Sequence, residues 1–495
     1  MLEQIQSSTC LSNLDSHSGN LFLLLLNTLL ASQCTLKNPD LYPPDNSAKL
    51  EDGDHFDFIV VGTGSSGSVV GSRLTEEKKW KVLVVEAGDY PSVTTEIPAI
   101  FFSVQQTDQV WKYSTKPAEK SCLGYKNSIC HCTRGKLLGG CSSINGMMYQ
   151  RGSKRDHDSW YHEGNEGWDY TSLTEFYEKS ENVETDVEHV HEYGQKGLLH
   201  LTRYKFNETM RDVILQSAEE LGYNLFEQEG PSGFFESFQA IKDGVRINSA
   251  KAFLGAVKES SELTLALNAH VEKVIIDKTS KEARGIKLRI GKRVMNIYSD
   301  KEVILSAGVI NSPQILMLSG IGPKNHLQKV GIDVIQNLAV GAHLKDHVVM
   351  WVFSKVSDEA LKSTDMLDEI YEYFAHRKGM LSHTGVLNIQ GYTNVNDNST
   401  NPDILFLYSI IPKNSTTALD IFTDNINLNS FSSEKLREYV VNNHVLVTLS
   451  YCYNQSLQEK FCLRIKMLQV IQRFNQDILL MKMMKIWILL LKEFA

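Results

Sequence analysis

The sequence predicts an α/β protein built on a doubly wound, parallel sheet, and three observations along one short stretch predict it. Phe56 to Val61 (FDFIVV) is a continuous apolar run of the kind that forms a strand buried on both faces. It leads directly into Gly62-Thr63-Gly64-Ser65-Ser66-Gly67, after which Ser68 to Glu77 reads as a helix. A second apolar strand, Lys81 to Val85, then ends at the acidic Glu86.

Each part of this unit has a physical reason. Gly62 permits the tight turn, Gly64 lets backbone N–H groups approach a pyrophosphate, and Gly67 lets the helix pack against the strand. The helix N-terminus offers the positive end of its dipole to an anion. Glu86 stands at the tip of the second strand, where a carboxylate accepts hydrogen bonds from ribose hydroxyls and repels a 2′-phosphate. The unit therefore predicts a bound dinucleotide and disfavours NADP, while leaving FAD and NAD open.

Size and charge narrow the remaining classes. The chain has 495 residues, 42% hydrophobic and 22% charged, with a formal net charge of −9. That is the balance of a multidomain globular chain, and the net acidity argues against a broad nucleic-acid surface. Eight cysteines without a repeated CxxC exclude a disulfide scaffold and make a metal site unexpected. No apolar run reaches the length of a membrane span. Leu21 to Ala31 suits either the core of a secretion signal or a short buried helix, and Asn207, Asn398 and Asn414 head three glycosylation sequons.

Further glycine-rich and strand-forming blocks follow. Between Thr133 and Tyr149, Gly135, Gly139, Gly140 and Gly146 imply a backbone held close to something large and flat. Thr264 to Asp277 reads as one strand. Lys301 to Ala307 reads as another, entering Gly308 and then a helix that carries Asn311-Ser312-Pro313-Gln314 with the proline in a first turn, and a stop at Ser319-Gly320-Ile321-Gly322-Pro323.

On these blocks the chain resembles the glucose–methanol–choline (GMC) flavin oxidoreductases, and most of all their insect glucose-dehydrogenase branch. RGKLLGGCSSINGMMYQRG is similar to the family's first signature and GVINSPQILMLSGIGP to its second. GVRINSAKAFL (Gly244–Leu254) and VGAHLKDH (Val340–His347) resemble two further landmarks. The resemblance implies an FAD-binding domain interleaved with a substrate domain on an antiparallel sheet, beginning near Val348–Lys355 and resuming at Asp403–Ile410 and Val445–Leu449. It divides the chain into a signal-like segment and linker (1–54), an FAD-binding region (55–347), the start of a substrate region (348–450) and a tail (451–495).

Carried over residue by residue, Gly62, Gly64, Gly67 and Glu86 bind the ADP half of FAD. Arg134, Leu137, Gly140, Asn145 and Met148 line the flavin, and the backbone of Val271 meets the adenine. Asn145 suits this role because its amide can both donate and accept. The implied chemistry is oxidation of an alcohol or a sugar such as glucose, with a base taking the hydroxyl proton and a hydride passing to flavin N5. A quinone or other acceptor then reoxidises the flavin, in an extracellular or secretory setting. Departures are Cys141 for the family's Ser or Thr, His343 for Asn, Lys345 for Gln, and Cys132-Thr133 for Trp-Pro. Cys122 and Cys130 resemble a pair found in the insect branch, and the resemblance implies that they can form a disulfide.

The last 45 residues break the pattern. Tyr451 to Ala495 contains no Gly, Pro or His. Read one frame over, it can spell LLQPKSTGKI and later DPKIQSGYFTDEDDEDLDTL, strings similar to what the family carries after a segment like VLVTL. A one-frame slip near Ser450 is therefore expected. The family's catalytic histidine lies beyond the intact region, so no catalytic residue is assigned. The alternative function is a catalytically dead, truncated FAD-binding product.

Overall fold

The structure is a computed structural model that describes residues 31–32, 34–117, 121–184, 192–204, 209–226, 233–358, 361, 366–393, 402 and 404–452. In chain order its principal strands are β1 (His55–Val61), β2 (Val82–Val85), β3 (Val110–Ser114), β4 (His131–Gly135) and β5 (Gly233–Glu236). They continue with β6 (Leu263–Ala266), β7 (Ala269–Ile276), β8 (Ala283–Ile290), β9 (Arg293–Leu305) and β10 (Val348–Val356). The last three are β11 (Ile389–Thr393), β12 (Ile404–Ile411) and β13 (His444–Cys452). The helices that pack on them are α1 (Ser65–Glu76), α2 (Thr209–Glu220), α3 (Gly308–Leu318), α4 (Thr416–Asn425) and α5 (Ser430–Asn442).

The first sheet has the order β6-β2-β1-β9-β8-β7. Its first four strands run parallel, with Ile59 opposite Leu83 on one side and Val303 on the other. β8 and β7 extend it as an antiparallel meander. The parallel strands are continuous apolar runs because both of their faces are covered. On one face Val60, Val82 and Val84 pack with Leu254 and with Val70 and Leu74 of α1. On the other, Ile59, Val61, Leu83 and Val85 pack with Ile315 of α3. Helices on both faces of a parallel sheet are the doubly wound arrangement the sequence predicts.

Two expectations change here. Thr264–Asp277 is not one strand: it divides at Leu267-Asn268, where Asn268 takes the left-handed conformation at φ 51°, so β6 and β7 lie at opposite edges of the sheet. Asparagine tolerates that conformation through local hydrogen bonding, and it gave no glycine to mark the turn. Pro313 is not in a first turn either. α3 begins at Gly308, straight from the strand, which places Pro313 in the helix interior. There its ring removes one N–H from the hydrogen-bond ladder.

The second sheet has the order β10-β13-β12-β11-β5 and is antiparallel throughout. The three strands expected near Val348, Asp403 and Val445 are present as β10, β12 and β13. The structure adds β11 and β5, the latter drawn from more than a hundred residues before β10. Leu419 of α4 and Leu436 and Val440 of α5 cover one face over Val445 and Val447. Met210, Ile214 and Ala218 of α2 cover the other over Phe234, Phe406 and Tyr408.

Cys122 and Cys130 form a disulfide with their Cα atoms 5.8 Å apart. Among the described residues no helix is long and apolar enough to cross a membrane. The signal-like run at 21–30, the sequons at Asn207 and Asn398, and the tail from Tyr453 lie outside the described residues.

Ile59 is fully buried at the centre of the first sheet. Its truncation to Ala should cost about 2–5 kcal/mol of stability through lost contacts and a residual cavity. Val294→Ala, at an exposed position, should change stability by no more than about 0.5 kcal/mol. Urea denaturation of the two variants checks the contrast.

Candidate dinucleotide-binding site

The C-terminal ends of β1, β2 and β9 open into a groove of about 990 Å³. Val61, Gly62, Gly64, Ser65 and Ser66 form its floor, and the hairpin of β3 and β4 forms one wall through Trp111, Tyr113 and Arg134. Ligands of doubly wound sheets bind at this end of the strands, where connections leave in opposite directions.

The close approach of α1 to β1 shapes the floor. Gly62 holds φ +100° and its carbonyl receives Gly67 so closely that a Cβ on Gly67 would lie 1.9 Å from the oxygen. Gly64 is different. Its φ is −62°, and a Cβ built there meets nothing within 4 Å, because it points into the open groove. Gly64 therefore keeps space for a ligand, and it does not serve an unusual backbone conformation. It is also the N-cap of α1 and supplies no side-chain hydrogen bond to the helix. α3 enters the groove from Ala307, likewise without a side-chain cap. Two helix N-termini thus present orphan N–H groups and positive dipole ends to one cavity, a setting that favours a polyanion.

Glu86 lines the groove and is buried. Its Oε2 accepts from the Thr63 backbone N–H at 3.0 Å and from the Thr63 hydroxyl at 2.6 Å, and its Oε1 accepts from the Gly88 N–H at 2.9 Å. The Ala87 backbone N–H also acts on the carboxylate. Burial pushes the pKa of Glu86 up, against the lowering effect of the Thr63 and Gly88 hydrogen bonds.

Of the residues singled out in the sequence, Gly62, Gly64, Glu86, Arg134, Gly140 and Val271 line the groove. Gly67 lies beneath it as a packing contact. Leu137 does not line it: its side chain is fully buried with Val104, Val110 and Ile144. Met148 sits in a short strand beside Gln239, with its sulfur 3.5 Å from Gln390 Nε2. Asn145 is exposed, but its Oδ1 is occupied by Arg246 Nη1 at 2.9 Å and by the Met147 N–H at 3.1 Å. Its amide is thereby fixed as an outward donor, where the sequence suggested both roles. The glycines of the first signature also approach the chain itself: a Cβ on Gly140 would meet Gly64 Cα at 2.8 Å. Cys141 lines the groove half-buried, and its sulfur accepts from the Gly135 N–H at 3.3 Å.

Sequence reasoning missed the aromatic wall. Trp111 and Tyr113 stack with their planes 6° apart, and His270 packs against Trp111 at 6.1 Å. The Tyr113 hydroxyl donates to Asn311 Oδ1. Burial raises the Tyr113 pKa and lowers that of His270, so both rings are neutral near pH 7. The alternation in Val110–Ser114 was the available signal, and Asn311 stood within the second signature.

Gly67→Ala should destabilise the fold by about 1–3 kcal/mol, because the new methyl forces α1 away from β1; a lowered thermal midpoint checks it. Glu86 gives a pH signature. An acid whose folded pKa is raised loses stability as pH climbs from the ordinary Glu value through the raised one. Wild type should therefore lose stability relative to Glu86→Gln across that window, and a pH-independent difference between the two would count against this assignment.

Comparison with known proteins agrees with this geometry. The profile of GMC oxidoreductases matches residues 56–349. The chain is 36% identical over 392 residues to glucose dehydrogenase [FAD, quinone] of Drosophila melanogaster, covering 78% of this chain and 62% of that protein. It is 32% identical over 373 residues to ecdysone oxidase of Bombyx mori, covering 72% of this chain and 54% of that one. The chain thus spans between about half and three fifths of the length of these curated relatives. Among solved structures, formate oxidase of Aspergillus oryzae superposes with a TM-score of 0.72 at 22% identity, over 86% of this chain and 78% of that one. The family match, over more than half the sequence and directly across the groove, assigns this chain to the GMC oxidoreductases.

Proposed function

We propose that the chain holds FAD in this groove and acts as an FAD-dependent oxidoreductase on CH–OH groups of alcohols or sugars. The observation that carries the reading is the groove itself: two uncapped helix N-termini, an unobstructed glycine at its floor and a carboxylate at the tip of β2. The N–H groups of α1 would hold the pyrophosphate, the Glu86 carboxylate a ribose hydroxyl, and Val271 the adenine. Arg134 and Gly140 would border the flavin, with Asn145 donating from beyond them. When bound, FAD supplies an acceptor for two electrons from the donor carbon. The residues here bind, orient and exclude water.

Residues 55–347 would then form the FAD-binding region and 348–450 the start of the substrate region, with β5 contributed from the former. Substrate choice between sugar and alcohol, and a quinone as acceptor, are carried by the names of the relatives alone. The Cys122–Cys130 disulfide supports an oxidising, extracellular or secretory setting. No catalytic base is assigned. The 451–495 tail is read as frame-shifted, and transcript sequencing from Val445 to Lys460 tests that reading.

Purified protein should show a flavin absorbance spectrum, and addition of alcohol or sugar should bleach it. A bound flavin that no donor bleaches would favour the binding-only reading. Gly64→Val should abolish FAD retention while leaving the thermal midpoint within a few degrees, since its side chain fills only open groove. Stoichiometric FAD in that variant would remove the support for this placement.

A further inference from the structure

Behind the loop that carries Asn145 lies a buried group of charges that the groove does not use. Arg246 is fully buried. Its Nε donates to Thr95 O at 2.7 Å, and its Nη1 donates to Ser142 O at 3.0 Å and to Asn145 Oδ1 at 2.9 Å. Among the described residues its Nη2 has no hydrogen-bond partner. Beside it, Lys251 Nζ pairs with the buried carboxylate of Glu96 and donates to Arg246 O at 2.9 Å. Tyr42, whose hydroxyl lies 3.4 Å from Glu96 Oε1, is kept neutral by burial. Among the described residues, two cations therefore share one carboxylate, leaving one positive charge in excess.

An uncompensated charge in a low-dielectric interior is costly, and it persists where something outside the group answers it. Asn145 is the exposed member of this hydrogen-bonded group. Arg246 and the Met147 N–H together occupy Asn145 Oδ1, so the exposed amide can offer only N–H donors to whatever lies over it. The buried guanidinium and the exposed amide thus form one hydrogen-bonded unit.

We propose that Arg246 is a positioning residue of the cofactor site: it fixes Asn145 as a hydrogen-bond donor toward the cofactor and supplies the charge that favours the two-electron-reduced, anionic form over the oxidised one. The proposal rests on FAD binding as read above. A structural role alone predicts lost stability without a change in redox balance.

The test is the midpoint potential of the FAD-loaded 495-residue chain, measured by equilibration with a reference dye. Arg246→Met should lower the preference for reduced over oxidised FAD at least tenfold, which is about 30 mV for a two-electron couple. Asn145→Asp gives a second, independent reading. Its side chain is exposed and nearly isosteric, it neutralises the guanidinium, and it replaces the donor by an acceptor, so the potential should fall again. If Arg246→Met does not fold, Asn145→Asp decides. A yellow wild type whose folded variants keep the wild-type potential overturns this inference alone; a wild type that takes up no FAD overturns it together with the functional reading.

Discussion

The contact between Gly67 and the carbonyl of Gly62 sets the geometry on which the rest of the site depends. With no side chain at either position, α1 lies against the end of β1, and its first N–H groups stop at the floor of the groove. Glu86 is held to the same turn through Thr63, so floor and carboxylate form one hydrogen-bonded unit. Gly140 then presses the second glycine-rich segment onto Gly64. Two glycine-rich segments distant in sequence are thus held together by glycines that leave no room for anything larger, with Glu86 bonded to the first of them.

This explains why the first half of the site was legible. A strand, a glycine turn, a helix and an acidic residue are local, and each leaves its own mark within about thirty residues. The doubly wound sheet followed from the continuous apolar runs of β1 and β2. The antiparallel sheet was legible only through family resemblance, and only for β10, β12 and β13. β5 and β11 are short, and their neighbours in space are distant in sequence, so no local pattern specifies them.

Two residues of one signature part ways in the fold. Leu137 and Asn145 stand in one signature, but backbone turns at Gly139 and Gly140 send their side chains in different directions. Leucine goes into the core and asparagine outward, where a buried arginine fixes its amide. Sequence gives the residues near a cofactor; which atom each one turns toward it depends on contacts such as that between Arg246 and Asn145. The wall of Trp111 and Tyr113 was missed because five half-alternating residues read as any edge hairpin.

The strand order of the second sheet carries a consequence for synthesis. β13, the last described strand in the chain, is not an edge: it lies between β10 and β12 and bonds to both along its length. The six strands of the first sheet are all made by Leu305. During translation the nucleotide-binding half can therefore close on its own, while β10 emerges with no partner for roughly ninety residues. Until β13 arrives, β10 and β12 each expose an unpaired side that invites foreign strands. The interval between these two moments, more than the finished fold, is when this chain is most in need of a chaperone.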